Sequence, residues 1–238
     1  MKFNLPKVNI HWSLNFVIAF ILLNFICAVI HEFGHYIVAV ALGNAQYMTF
    51  SAGVPKDLSI PIDSYGMLLS LAGGMFVTYF LAYLGLFLLL FSKRFQILGI
   101  SLIIINTIHR LPKPAAFDEE KSLSILGLDP NLVYFTIVPL MLIPLIIAVI
   151  SIVNKRKLLT AGGLVVLTMA FYEVRVWVDS EFFITPLING EILPNIFGIH
   201  IYVVIVTLVT PVIFIGKYAR YLLPGDNEIK EHYKNYET

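Results

Sequence analysis

Long runs of apolar residues are the feature that most constrains how this chain can fold. An α-helix that crosses about 30 Å of hydrocarbon needs roughly 20 predominantly apolar residues, and six runs approach or exceed that length. They cover about residues 12–42, 67–91, 95–111, 132–153, 158–178 and 199–215. We therefore predict an all-α integral membrane protein, inserted in a lipid bilayer through about six transmembrane helices.

The composition supports this class and excludes several others. Only 13% of the 238 residues are charged and 58% are hydrophobic, whereas an ordinary soluble domain has about 25% charged residues. The formal net charge is +1, without the basic footprint of a nucleic-acid-binding protein. A single cysteine, Cys27, excludes an internal disulfide framework. A soluble domain, a disordered chain and a nucleic-acid partner are therefore not expected.

No internal repeat or low-complexity linker divides the sequence, so we predict one polytopic membrane domain over residues 1–238. Its core would cover about residues 12–130, which contain the chemically distinctive motifs. Additional helices would cover about residues 131–222, and a polar tail would follow at residues 223–238.

The distribution of Lys and Arg predicts the orientation of the spans. The amino terminus, the turns after the second and fourth runs and the tail together hold 11 of these residues, whereas the alternate loops hold 4. Cytoplasmic loops carry the excess of Lys and Arg. We therefore predict a multi-pass protein with both termini in the cytoplasm.

The segment after the first run differs from the rest of the chain. Residues 43–65 combine β-prone residues with Gly and Pro, a pattern that fits a short hairpin at the membrane rim and equally an ordinary external loop. Within the apolar runs themselves, Gly34, Gly73 and Gly74 are small enough to let helices approach closely.

The first apolar run contains the motif His31-Glu32-Phe33-Gly34-His35. Four residues of α-helix turn about 400°, so His31 and His35 lie on one face, one turn apart. Two imidazoles at this spacing can bind one zinc ion, and the adjacent Glu32 is then suited to act as a general base. An ionisable side chain inside a membrane span is costly and rarely present without a role. We therefore predict one zinc ion per chain.

A catalytic zinc usually has three protein ligands, and the residues alone leave the third open. The candidates His109, Asp118, Glu119 and Asp129 all lie between the third and fourth runs. Asp118 follows a stretch interrupted by prolines, L-P-K-P-A-A-F, where the chain could return towards the metal. Glu119 is the nearest alternative, and His109 would complete a three-histidine site.

Other polar residues within the apolar runs have two interpretations each. Asn106 can form a hydrogen bond to a neighbouring helix, or it can bind the backbone of a substrate near the zinc. Glu173, Arg175 and Asp179 interrupt the fifth run, where Arg175 and Asp179 are one turn apart and can pair. For this group we expect an ion pair between helices, the alternative being a role next to the site.

The sequence around the motif, A-V-I-H-E-F-G-H-Y-I-V-A-V-A-L-G, resembles the first active-site helix of the site-2 protease family, which are intramembrane zinc metalloproteases. The order of later segments is similar, with S-L-A-G-G-M followed by F-D-E-E-K-S-L-S-I-L-G-L-D-P, so the resemblance covers roughly residues 20–130. It implies His31, His35 and Asp118 as zinc ligands and Glu32 as the general base. The chain would be a divergent member, since Glu119 stands where the family typically has glycine.

This resemblance implies a metalloendopeptidase. Zinc-activated water would hydrolyse peptide bonds of membrane-embedded or membrane-tethered polypeptides. The alternative is a non-proteolytic membrane protein, either a transporter or a scaffold, with a structural or degenerate zinc site. Transporters often contain inverted repeats, and the sequence has no such symmetry.

Overall fold

A computed structural model of the chain describes residues 5–43, 46–50, 53–55, 64–108, 110, 118–191 and 194–223. The protein is mostly helical (79%). The α-helices are α1 (Leu14–Ala41), α2 (Ser64–Phe91), α3 (Gln96–Ile108), α4 (Asp118–Ile125), α5 (Leu132–Ser151), α6 (Lys157–Asp179), α7 (Thr185–Ile188) and α8 (Ile201–Ile213). The strands are β1 (Gln46–Met48), β2 (Gly53–Pro55), β3 (Asn195–Ile196) and β4 (Ile199–His200).

Among the described residues, five helical stretches are long and apolar enough to cross a membrane. They are Leu14–Ala41, Ser64–Phe91, Leu132–Ser151, Lys157–Ile188 and Ile201–Tyr221. The last two are longer than α6 and α8 because short π-helical or 3₁₀ turns continue the helical course. These stretches confirm the predicted class of a mostly helical membrane-spanning protein.

The remaining predicted run, residues 95–111, forms a shorter helix than the hydropathy suggests. Helix α3 has 13 residues, which at 1.5 Å per residue extend for about 20 Å, less than the hydrocarbon thickness. Every residue from Gly99 to Ile108 is buried. Helix α3 is therefore an inner helix of the bundle, surrounded by protein.

Several contacts bring the two ends of the described chain to the same end of the bundle. Val8, which precedes α1, pairs with Ile152 at the end of α5. Asn15, at the start of α1, donates a hydrogen bond to the hydroxyl of Tyr221 beyond α8 (2.8 Å). The start of α1 and the ends of α5 and α8 thus lie together.

A small sheet covers the opposite end of α1. In the described part of the chain it has the strand order β2-β1-β4-β3. Strands β1 and β2 form an antiparallel hairpin, which was one of the two interpretations of residues 43–65, and β1 also pairs in parallel with β4 through Met48 and Ile199. The sheet therefore ties the segment after α1 to the start of α8.

Helices α1 and α2 cross backbone to backbone at two glycines. A Cβ atom on Gly34 would lie 2.7 Å from the carbonyl oxygen of Gly73, and one on Gly73 would overlap the carbonyl oxygen of Gly34. Only glycine permits this approach at both positions. The crossing confirms the close approach expected at Gly34 and Gly73, and it brings α2 carbonyl groups against the histidine face of α1.

Candidate metal centre

The two motif histidines lie deep within α1. His31 and His35 precede its last residue, Ala41, by ten and six residues, which places them about 15 and 9 Å from that end of the helix. Helix α2 supplies their first partners: Nδ1 of His31 lies 2.8 Å from the carbonyl oxygen of Gly74, and Nδ1 of His35 lies 2.8 Å from that of Ser70. The close crossing of α1 and α2 therefore orients both rings.

These partners assign the tautomer of each imidazole. A carbonyl oxygen can only accept, so Nδ1 of each ring carries the proton and donates it. In a neutral ring this leaves a lone pair on Nε2. The two Nε2 atoms, of His31 and His35, face each other at 3.1 Å. Two lone pairs at this distance repel unless a proton or a metal cation lies between them.

Asp118, the first residue of α4, brings a third acceptor to the same place. Its Oδ2 lies 3.6 Å from Nε2 of His31 and 3.4 Å from Nε2 of His35. In a tetrahedral site with zinc–ligand bonds of 2.0–2.1 Å, neighbouring ligand atoms are separated by about 3.3 Å. The three distances of 3.1, 3.4 and 3.6 Å agree with that spacing. Two imidazole nitrogens and one carboxylate oxygen are also a donor set that zinc accepts, so these residues fit the ion.

Glu119, the predicted alternative to Asp118, has other partners. Its Oε2 accepts from Nη1 of Arg110 (2.9 Å), and its Oε1 accepts from the hydroxyl of Tyr79 on α2 (2.9 Å). Both carboxylate oxygens are thus engaged away from the histidines. The guanidinium of Arg110 also contacts Asp118, with Nη2 at 3.3 Å from Oδ2, so one cation links the two neighbouring carboxylates.

The charges of this group stabilise one another. The guanidinium of Arg110 contacts both neighbouring carboxylates, at 3.3 Å from Oδ2 of Asp118 and 2.9 Å from Oε2 of Glu119. Opposite charges at these distances offset part of the cost of burying each group.

Glu32 lies next to the two histidines and contacts a residue of α6. Its side chain is 8% exposed, and its Oε1 lies 3.8 Å from Nη1 of Arg175. Arg175 also donates to the backbone carbonyl of Phe50, just beyond β1. His31, Glu32 and His35 each offer a ligand atom within 4.8 Å of the others. Glu32 is therefore held beside the pair of imidazoles by a cation from a distant helix.

Asp179 completes this contact between α6 and the segment after β1. It is fully buried and accepts hydrogen bonds from Oγ1 of Thr49 (2.6 Å) and from the backbone N–H of Phe50 (2.8 Å). The expected ion pair between helices thus involves Arg175, with Glu32 as its partner on α1. Arg175 and Asp179 together bind both backbone groups of Phe50.

Acidic and basic side chains lie together beside the imidazoles. Among the described residues they are the carboxylates of Glu32, Asp118 and Glu119 and the guanidinium groups of Arg110 and Arg175. The carboxylates outnumber the guanidinium groups by one in this set, and a buried excess of charge is costly in a low-dielectric interior. A cation held at the three acceptor atoms would offset that excess.

The other predicted residues lie outside this cluster or outside the described residues. Asn106 is buried in α3, donates to the carbonyl of Leu102 (2.8 Å) and contacts Cys27. These contacts match the packing interpretation of Asn106. Asp129 accepts from Asn131 at the start of α5. His109 lies outside the described residues.

Sequence reasoning did not single out Arg110 or Tyr79 as site residues. Arg110 was counted only as a loop cation, and Tyr79 lies in an apolar run with many aromatic residues. Arg110 does carry one sequence signal, since it stands directly at the end of an apolar run, eight residues before Asp118. Tyr79 carries none, because its contact with Glu119 depends on how α2 and α4 pack.

The chain was compared with known protein families, curated protein sequences and solved structures. No protein-family model, curated protein sequence or solved structure matches the chain. The resemblance of residues 20–130 to site-2 proteases therefore stays a prediction from the motifs.

The contact between Gly74 and His35 predicts a sharp effect of a single methyl group. A Cβ atom on Gly74 would overlap the His35 imidazole, so Gly74→Ala should displace that ring. Zinc affinity is then expected to fall about 10- to 100-fold, as when an outer partner of a metal ligand is lost. Competition with a chelator measures it. Gly162→Ala on α6 is the control, because nothing lies within 4 Å of that Cβ; equal zinc affinity in both variants would contradict the prediction.

Proposed function

We propose that this chain is an intramembrane zinc metalloprotease. The proposal depends chiefly on one observation: Nε2 of His31, Nε2 of His35 and Oδ2 of Asp118 lie 3.1–3.6 Å apart. That spacing suits the ligands of one zinc ion. The buried carboxylate of Glu32 stands beside them. In a bundle this apolar, a group of ionisable side chains is costly unless it has a role.

In this proposal His31, His35 and Asp118 hold one zinc per chain. Zinc would supply Lewis acidity there, polarising a peptide carbonyl and making a water molecule acidic enough to lose a proton near neutral pH. The hydrogen bonds from the two Nδ1 atoms to α2 fix the rings before the metal arrives. Such outer partners orient metal ligands and raise their basicity.

Glu32 would move the proton. Its carboxylate takes a proton from the attacking water and gives it to the leaving amine, so that the peptide bond breaks into a carboxylate and an amine. The guanidinium of Arg175 lies 3.8 Å from Oε1 of Glu32 and so faces the carboxylate that would accept the proton. Because Arg175 is also bonded to Phe50, the segment after β1 helps to position the base.

The position of the site favours a substrate that is embedded in the membrane or tethered to it. His31 and His35 lie about 15 and 9 Å inside the end of α1, among helices whose outer surfaces expose large apolar side chains such as Phe76, Phe87 and Phe135. A substrate helix has its backbone groups hydrogen-bonded internally. It must unwind locally before a peptide bond can reach the site, so helix-breaking residues should favour cleavage.

We also propose six crossings with both termini in the cytoplasm. The third crossing would consist of α3 and α4 together, about 20 and 12 Å long, with Asp118 at the start of the second part. The meeting of Asn15 with Tyr221, and of Val8 with Ile152, supports an even number of crossings. The excess of Lys and Arg at that end of the bundle supports the proposal that it faces the cytoplasm.

The test combines metal content with cleavage. The purified protein should contain about one zinc per chain, as required for a single three-ligand site. In lipid vesicles it should cleave members of a pool of single-span peptides whose central six residues are randomised, with products identified by mass spectrometry. A zinc chelator should stop cleavage, and added zinc should restore it.

The outcomes separate the two functions considered for this chain. A protein that holds zinc but cleaves no peptide of the pool would support the alternative, a transporter or scaffold with a structural metal site. A protein that holds no zinc under these conditions would contradict both. A zinc-dependent cleavage pattern enriched in Pro, Gly or Asn at the centre of the span would support the protease.

A further inference from the structure

Arg110 is a buried cation beside the proposed zinc ligands that the mechanism above does not use. It stands between α3 and α4 and is 6% exposed. Its Nη2 lies 3.3 Å from Nε2 of His31 and 3.3 Å from Oδ2 of Asp118. An N–H donor thus touches two of the three atoms that would hold the metal. Nη2 of Arg110 therefore lies at the edge of the triangle formed by the three proposed ligand atoms, Nε2 of His31, Nε2 of His35 and Oδ2 of Asp118.

The other end of the guanidinium is fixed. Nη1 of Arg110 donates to Oε2 of Glu119 at 2.9 Å, and the Tyr79 hydroxyl donates to the second oxygen of Glu119 at 2.9 Å. The guanidinium is planar and rigid, so anchoring one nitrogen determines where the other lies. Glu119 and Tyr79 therefore aim Nη2 at the triangle.

We propose that Arg110 is a catalytic residue of this protease, donating a hydrogen bond from Nη2 to the oxygen of the peptide carbonyl under attack. The inference rests on the proposed function. As the water adds to the carbonyl carbon, the π electrons of the C=O bond move to the carbonyl oxygen, which gains negative charge. One proton of the water passes to Glu32 in the same step. When the carbonyl re-forms, the C–N bond breaks and the amine leaves with that proton.

Two physical properties suit Arg110 to this task. A donor already positioned in a low-dielectric site stabilises developing charge without reorganisation during the reaction. A guanidinium also remains protonated throughout, so it cannot compete with Glu32 for the proton of the water. A purely structural arginine would need only the carboxylates of Asp118 and Glu119, whereas this one also reaches Nε2 of His31.

The experiment compares Arg110→Gln with the unmodified chain in vesicles, using the peptide of the pool that is cleaved fastest and its phosphinic analogue. The analogue carries an anionic oxygen where the carbonyl oxygen would be. We expect kcat to fall about 100-fold, the loss typical of one such donor, with little change in KM. The analogue should bind more weakly by a similar factor, while each chain keeps its zinc.

Controls separate catalysis from folding and charge. Arg94→Gln removes an exposed cation at the turn after α2 and should leave kcat unchanged. The double variant Arg110→Gln, Glu119→Gln keeps the net charge of the cluster, because it removes one positive and one negative group. It provides the second test if the single variant does not fold. Its kcat should stay reduced by the same factor, because the donor from Arg110 is still missing.

Several results would overturn the proposal. The first is a wild-type kcat in Arg110→Gln or in the double variant. The second is a faster turnover, which would mean that the guanidinium blocks the site. The third is loss of zinc, which would mean that Arg110 supports Asp118 as a ligand. Each of these leaves the protease function intact. If the unmodified chain holds zinc but cleaves nothing, the protease function fails and this inference fails with it.

Discussion

Replacing Glu32 with glutamine is expected to slow peptide-bond hydrolysis by about 10²- to 10⁴-fold, the usual contribution of a general base. The amide has the size of the carboxylate but cannot accept the proton of the attacking water. Zinc should stay bound, because the proposed ligand atoms belong to His31, His35 and Asp118. Turnover of the best peptide of the pool and the zinc content of the same sample measure both effects.

The fold should tolerate this substitution. Glu32 faces Arg175 at 3.8 Å, a distance for an ion pair without a short hydrogen bond, and Arg175 keeps its bond to the carbonyl of Phe50. Glu173→Gln is the matched control, since it makes the same chemical change at an exposed position of α6. Full turnover in Glu32→Gln with zinc bound would contradict the proposed mechanism.

The helices were predictable from the sequence to the extent that hydropathy determines them. The first run, residues 12–42, contains α1 with two residues to spare at its start, and residues 132–153 contain α5. At α3 hydropathy predicted the apolar run but not its surroundings, because a helix surrounded by protein is as apolar as one surrounded by lipid. Its length of 13 residues and the burial of every residue from Gly99 to Ile108 show the difference.

The small sheet shows a second limit of the sequence. The hairpin of β1 and β2 was one of two equal interpretations, since Gly and Pro mark a turn without saying what pairs beside it. The hairpin of β3 and β4 was missed, although its turn at Phe197 and Gly198 has positive φ at both residues, a conformation that Gly favours. The pairing of β1 with β4 joins residues about 150 positions apart, beyond any local pattern.

The site divides in the same way between local and distant information. Helical geometry alone brings His31 and His35 to one face, so their spacing was sufficient to predict a pair of ligands. Arg110 stands 79 residues after its partner His31, and Arg175 stands more than 140 residues after its partner Glu32. Their places depend on the packing of α3 and α6 against α1, which no motif encodes.

Replacing Asp118 with asparagine is expected to weaken zinc affinity by about 10²- to 10³-fold. Structural zinc sites bind with roughly 10–16 kcal/mol, so each of about four ligands contributes roughly 3–4 kcal/mol. Asparagine retains an oxygen at the position of Oδ2 but loses the negative charge that balances the cation. Competition with a chelator of known affinity measures the change, and the thermal unfolding temperature of the metal-free protein shows whether the fold is kept.

The neighbouring carboxylate provides the matched control for this prediction. Glu119→Gln makes the same change one residue later, where the side chain contacts Arg110 and Tyr79. It acts on Asp118 only through Arg110, so a loss of about tenfold at most is expected. If Glu119→Gln released the zinc and Asp118→Asn retained it, Glu119 would be the third ligand. If both retained it and His109→Ala released it, the three-histidine site would be the correct one. Retention by Glu119→Gln and His109→Ala, with loss from Asp118→Asn, would identify Asp118 as the ligand, because among these variants Asp118→Asn is the one that removes the carboxylate lying within 3.6 Å of both imidazoles.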